Sequence, residues 1–207
     1  MNIKKTALLL AAGIIVLQVK AQLSSGVKAG ANFSKERYSN NIYSTSSHTF
    51  FCAGLFANQG FAKQFAVQEE VMFSGEGTEE EYMSGTNKIT GVVTINRINV
   101  PVLAQYRSPV GFYLETGPQI GFTLSAKGKY TNGNYDFKKN TQSVLFSWCG
   151  GAGYTLTKGA PGLGIGLRYA AGLGHIDKGS TNANSIKGST FSVTLAYAFL
   201  HGGKKSK

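Results

Sequence analysis

The stretch from Gly111 to Leu124, GFYLETGPQIGFTL, constrains this chain more than any other. Alternate residues separate into two faces. One carries Phe112, Leu114, Thr116, Pro118, Ile120, Phe122 and Leu124; the other carries Gly111, Tyr113, Glu115, Gly117, Gln119, Gly121 and Thr123. A period of two is the signature of a β-strand with an apolar side and a polar, glycine-rich side. The alternation also runs well past the ~5–6 residues usual for a strand of a soluble domain. Roughly ten or more residues, apolar outward and polar inward, suit a strand that crosses a membrane as part of a barrel.

Seven further segments follow the same pattern: Ser25 to Ser34, Thr49 to Asn58, Phe65 to Ser74, Val92 to Tyr106, Ser143 to Leu156, Leu163 to Ala171 and Ser189 to Phe199. The facing of Thr49 to Asn58 is ambiguous, because both of its sides are apolar or small. The connections alternate. Lys35 to His48, Gly75 to Lys88, Lys127 to Asn140 and Gly172 to Gly188 are long and polar. Gln59 to Gln64, the turn at Ser108-Pro109 and Thr157 to Gly162 are short. Short turns at one end and long loops at the other predict an all-β fold, a closed eight-stranded antiparallel up-and-down transmembrane β-barrel.

The N-terminus reads as an address rather than as structure. Lys4 and Lys5 precede an apolar run from Thr6 to Leu17, and Val19-Lys20-Ala21 offers a small-residue cleavage site before Gln22. The run is short for a transmembrane helix and has the form of a secretory signal peptide. The predicted organisation is a signal at 1–21 and a barrel domain at 22–207, with strands to about 199 and a short basic tail at 200–207. The formal charge of +11 falls to +8, 18 basic against 10 acidic residues, once Lys4, Lys5 and Lys20 are removed. Most of this charge reads as solvated loop charge; where it has a partner, an exported chain would meet anionic lipid head groups and lipopolysaccharide rather than nucleic acid. Two cysteines, Cys52 and Cys149, fall on opposite sides of an eight-strand ring. Disulfide Cα atoms lie within about 7 Å, so both are expected as buried, unpaired thiols.

In hydrocarbon every backbone polar group must be paired, so the sheet must close. A ring of about eight strands has an interior just wide enough to be filled by its own side chains. The polar face contributes Lys28, Glu70, Arg97, Glu115 and Arg168, charges that are costly in a low-dielectric interior unless paired. A structural charge network inside the barrel is therefore expected from these five residues, with no assigned ligand site. Pro101 and Pro118 lie inside predicted strands, where proline cannot donate to the ladder. With a turn at Ser108 to Val110, Pro101 should oppose Gly117 and Pro118 should oppose Val100, giving one local distortion.

The segments FAVQEEVMFSGEG (65–77), INVPVLAQY (98–106), GFYLETGPQIGFTLSAK (111–127), GGAGY (150–154) and GLGIGLRYAAGLGHI (162–176), with GVKAGANFS (26–34), resemble the PorT-like outer-membrane β-barrel family of Gram-negative bacteria. The resemblance implies location in the bacterial outer membrane and insertion by the barrel-assembly machinery, and it implies no reaction. It raises secretion-system or other envelope proteins as partners. Two departures stand out. Glu69 takes a place where the family pattern has proline, and Leu200 to Lys207 extend beyond the terminal aromatic Phe199.

His48, His175 and His201 lie in two loops and the tail without ligand spacing, so no metal and no cofactor is expected. No glycine-rich phosphate loop precedes a helix. The acidic run Glu79 to Glu81 and the basic pair Lys138-Lys139 read as solvated loop tips. The expected function is non-enzymatic: a structural or accessory envelope role, with secretion-system assembly or surface interaction as its forms. The alternatives are a narrow passive channel and a soluble lipocalin-like binding barrel. The second would place the apolar face inward.

Overall fold

A computed structural model describes residues 22–38, 44–179 and 186–201. The predicted signal peptide and residues 202–207 lie outside the described residues. The strands are β1 (Gln22–Tyr38), β2 (Ser44–Ser46), β3 (His48–Gly60), β4 (Phe65–Ser84) and β5 (Asn87–Arg107). They continue with β6 (Phe112–Tyr130), β7 (Gly133–Asp136), β8 (Val144–Thr155), β9 (Leu163–Gly172) and β10 (Ile186–His201). Eight of them form a ring in the order β1-β3-β4-β5-β6-β8-β9-β10, and β10 pairs back on β1. Every pairing is antiparallel. The short β2 and β7 attach to the far ends of β4 and β6. Closure leaves no edge among the eight, which is what a sheet in hydrocarbon requires.

Burial is inverted relative to a water-soluble protein. Lys28, Asn32, Gln68, Glu70, Asn99 and Glu115 are buried, whereas Leu55, Phe146, Trp148, Ile165, Leu195 and Phe199 are exposed. On β3, whose facing was ambiguous, Phe51 and Leu55 point out while Cys52, Phe56 and Asn58 point in. The outer face keeps its polar groups satisfied: the Trp148 indole donates to the Thr116 hydroxyl at 3.0 Å. That hydroxyl donates in turn to the Cys149 carbonyl at 3.0 Å. Near the short turns, Phe61, Phe65 and Tyr106 pack as aromatic pairs with centroids 6.3 and 5.6 Å apart, the kind of belt found at a membrane interface. Glu69 lies on the outer face of β4, near the belt, opposite Val102.

Two expectations need correction. Gly75 to Lys88 is no loop: β4 and β5 continue through it to a two-residue turn after Ser84, just as β1 runs on through Lys35 to Tyr38 and β6 with β7 forms a hairpin within Lys127 to Asn140. Gly85 opens the turn at φ 62°, a left-handed conformation that glycine adopts without strain. Polar composition hid strands that stand clear of the apolar band. The second correction concerns the prolines. Pro101 opposes Gln119, and the register places Pro118 opposite Val102, two residues from the expected pairing. Pairing of β5 with β6 lapses at Val102 and Leu103, and pairing of β4 with β5 lapses at Glu70 and Val71. In antiparallel strands a residue's N–H and C=O point to the same neighbour, so each proline interrupts one ladder and spares the other. Register is kept through both gaps.

The register does slip elsewhere. Asn96 opposes Ser125 but Arg97 opposes Thr123, so Leu124 is an extra residue on β6. A one-residue bulge exchanges the two faces of the strand beyond it. Ala126 and Gly128 then point inward and join the interior. Ala126 packs with Val93, Ile95, Leu145 and Ile176, flanked by Tyr130, Phe137 and Ile186. This apolar cluster fills the barrel at the end away from the short turns.

Candidate functional site

The middle of the lumen is held by Lys28 on β1, Glu70 on β4, Glu115 on β6 and Arg168 on β9. In the ring, β4 and β9 are diametrically opposed, as are β1 and β6. Arg168 spans the interior with a two-pronged contact to Glu70, Nη1 to Oε2 at 2.7 Å and Nη2 to Oε1 at 2.8 Å. Its Nε donates to Glu115 Oε1 at 2.7 Å. Lys28 Nζ reaches Glu70 Oε1 at 2.6 Å. Two cations and two carboxylates thus neutralise one another across the barrel. The Arg168 fork matches carboxylate geometry, which a lysine could not reproduce. Glycine makes the room: a Cβ on Gly151 would lie 3.1 Å from Glu115 Oε1 and 3.2 Å from the Arg168 Cα.

Amides extend this cluster toward the short turns. Gln68 donates to Glu70 at 2.6 Å, and Gln105 donates to Glu115 at 2.9 Å. Asn58 donates to both Gln68 and Gln105, at 3.0 and 2.6 Å. Toward the other end, Arg97 forms an ion pair with Glu76 rather than with Glu70 or Glu115. Glu76 also accepts from Asn99 at 2.7 Å and Ser74 at 3.0 Å. Asn32 joins in by donating to Ser74 at 2.8 Å and accepting from Ser192 at 2.7 Å. The interior therefore holds two separate charge groups. The residues named from sequence divide between them, with Lys28, Glu70, Glu115 and Arg168 in one and Arg97 in the other.

A third group lies beyond the apolar band, which on β1 ends at Phe33 before the outward Lys35 and Arg37. Glu80 accepts hydrogen bonds from Tyr38 and, at 2.6 Å, from Tyr130. It is buried, so the solvated-tip reading of Glu79 to Glu81 is corrected at Glu80; Glu81 does pair on the surface with Lys88 at 2.8 Å. Glu36 is buried beside this group. Desolvation, opposed by Arg97 and reinforced by Glu80 and Glu76, raises its pKa from 4.5 to about 7. Desolvation and the charges of Glu36 and Glu80 likewise raise the pKa of the Tyr38 hydroxyl and keep it protonated.

Sequence reading missed Glu36, Glu76 and Glu80 because it placed them in loops. The available signals were the two-residue period of Ile89, Gly91, Val93 and Ile95, which carries β5 back to the edge of the supposed loop, and the parity of Asn32 and Ser34, which Glu36 continues on β1. Cys52 and Cys149 are free and buried, on the opposed strands β3 and β8. Among the described residues, no group of three or more His, Cys, Asp or Glu side chains is placed to hold a metal ion.

The sequence profile of a family described as outer membrane protein beta-barrel domain matches residues 18–178. No curated protein sequence matches the chain. Among solved structures, Neisserial surface protein A (NspA) is 14% identical, with a TM-score of 0.52 over 84% of this chain and 97% of that one. The attachment invasion locus protein Ail of Yersinia pestis is 17% identical, with a TM-score of 0.49 over 85% of this chain and 98% of that one. OprG of Pseudomonas aeruginosa is 13% identical, with a TM-score of 0.41 over 86% and 95%. At such identities the likeness to NspA speaks to the fold alone.

Proposed function

We propose, for a chain that belongs to the outer membrane protein beta-barrel domain family, a non-enzymatic envelope role in which a filled barrel anchors a rigid surface structure. The observation that carries this reading is the lumen itself. The Lys28–Glu70–Arg168–Glu115 group crosses its middle, and the apolar cluster around Ile95 and Leu145 closes one end. An ion entering this path would have to break buried ion pairs, each costing several kcal/mol to separate. The passive-channel alternative is thereby disfavoured. The apolar outer face, with exposed Leu55, Leu195 and Trp148, also runs against a lipocalin-like barrel in water.

The PorT-like motifs support a role beside envelope or secretion-system proteins. The long β4–β5 hairpin, braced by the apolar cluster, is the surface suited to such contacts. Above the apolar band, Arg37 on β1 directly opposes Lys187 on β10. Like charges facing each other across strands repel, and phosphates of lipopolysaccharide would relieve that repulsion. Signal cleavage before Gln22 would deliver the chain to this compartment. Planar-bilayer recording tests the filled-lumen reading: the refolded protein should give no stable conductance steps. Reproducible single-channel steps from the pure protein would refute it.

A further inference from the structure

At the end of the barrel bearing the short turns, the lumen opens into a cavity of about 160 Å³. Its floor is the charge group just described, reached through Lys28, Gln68 and Gln105. Its walls include Arg107, Tyr113 and Asn58. These three offer hydrogen-bonding capacity that the protein leaves unused. Arg107 has no ion-pair partner among the described residues. Tyr113, directly opposite it on β6, carries a hydroxyl with no hydrogen-bond partner among the described residues. Asn58 is 3% exposed, and its Oδ1 accepts from no group among the described residues.

We propose that this cavity binds a small ligand with one carboxylate beside an amide N–H, the chemistry of an N-acylated amino acid or a peptide C-terminus. Charge favours an anion: of the two lining cations, Lys28 is taken up in the balanced Lys28–Glu70–Arg168–Glu115 group beneath the cavity, which leaves the Arg107 charge in excess. The Arg107 guanidinium matches a carboxylate with paired N–H donors, and the Tyr113 hydroxyl adds a third. Asn58 Oδ1 can take up the amide N–H. The Phe56 ring, which Lys28 Nζ overlies at 5.9 Å, supplies an apolar wall for the acyl group. Tyr113 is held in place by the absence of a side chain at Gly153, where a Cβ would lie 2.4 Å from its hydroxyl. The volume equals that of about five waters, enough for a small acid and too little for a folded partner. This assignment goes beyond the envelope role and holds whether or not the barrel conducts.

The test is NMR titration of the refolded barrel in detergent with N-acetylglycine, acetate and the neutral N-acetylglycinamide. N-acetylglycine should give saturable shifts at Arg107 and Tyr113, with a Kd on the order of 1 mM. Acetate and N-acetylglycinamide, each lacking one of the two groups, should bind about tenfold more weakly. Arg107→Gln should lose about tenfold or more, Arg107→Lys, which keeps the charge but not the paired donors, should fall between Gln and the parent, and Tyr113→Phe should lose about fivefold. Tyr113→Phe keeps the ring and serves if the arginine variants do not fold. The absence of saturable shifts, equal binding of N-acetylglycinamide or acetate, or unchanged affinity in Tyr113→Phe would overturn the proposal.

Discussion

Replacing Glu70 with glutamine should destabilise the barrel by about 3–5 kcal/mol, the cost of breaking a buried ion pair from one side. Glu70 is 2% exposed and accepts from Lys28, Gln68 and both Arg168 terminal nitrogens, all within 2.6 to 2.8 Å. Glutamine keeps the volume, so the loss is electrostatic and leaves no cavity. Lys28 and Arg168 would then share Glu115 as their one carboxylate, and of the two cations only Arg168 contacts it, at 2.7 Å. The assay is urea unfolding of protein refolded into lipid vesicles, read by Trp148 fluorescence and by mobility on unheated gels. With a slope of roughly 2 kcal/mol per molar urea, the midpoint should fall by about 1.5–2.5 M. Replacing the pair with apolar residues, Lys28→Met with Glu70→Leu, should recover most of the loss, because no uncompensated charge remains. A Glu70→Gln midpoint within about 0.25 M of the parent, or a double variant no better than Glu70→Gln alone, would refute the reasoning.

Three further outcomes follow from other parts of the molecule. Glu36 titrates near 7 when folded and near 4.5 when unfolded, so between these values unfolding releases a proton. Its contribution should be full below about pH 4.5, decline as pH rises, and be gone above about pH 7; Glu36→Gln should flatten that slope in urea midpoints measured across the range. Thr116→Ala removes the acceptor of the only tryptophan's N–H on the outer face, and should cost about 1–3 kcal/mol in the same vesicle assay with a shift in Trp148 emission. Cys52 and Cys149 should resist maleimide labelling in the folded barrel and react fully after urea unfolding, with no mass change on reduction.

Much of the architecture follows from local pattern. The alternation of Phe112, Leu114 and Ile120 with Glu115, Gly117 and Gln119 is a property of the strand alone, and so is which face meets lipid. The eight membrane-level segments and their antiparallel order needed only that alternation and the lengths between. The ends were less legible, because Gly75 to Lys88 is polar on both faces and lacks the contrast that marks a strand in hydrocarbon. Pairing with its own partner strand, a tertiary fact, makes that stretch a hairpin.

Strand β6 also shows where sequence stops. It supplied Glu115 as an inward charge and Pro118 as a break in a ladder. Which cation Glu115 meets depends on which strands face each other across the ring, and that is fixed by closure. Arg168, fifty-three positions away, is its partner at 2.7 Å, while Arg97 turns to Glu76. Register decided the proline positions too, since a two-residue difference in the turn moves every opposing pair without changing a face. Leu124 is the sharpest case. Its alternation reads straight through in sequence, but the extra residue exchanges the faces beyond it and turns Ala126 into the core. Side-chain parity is written locally; the partners, the bulge and the open mouth around Arg107 exist only once the sheet has closed.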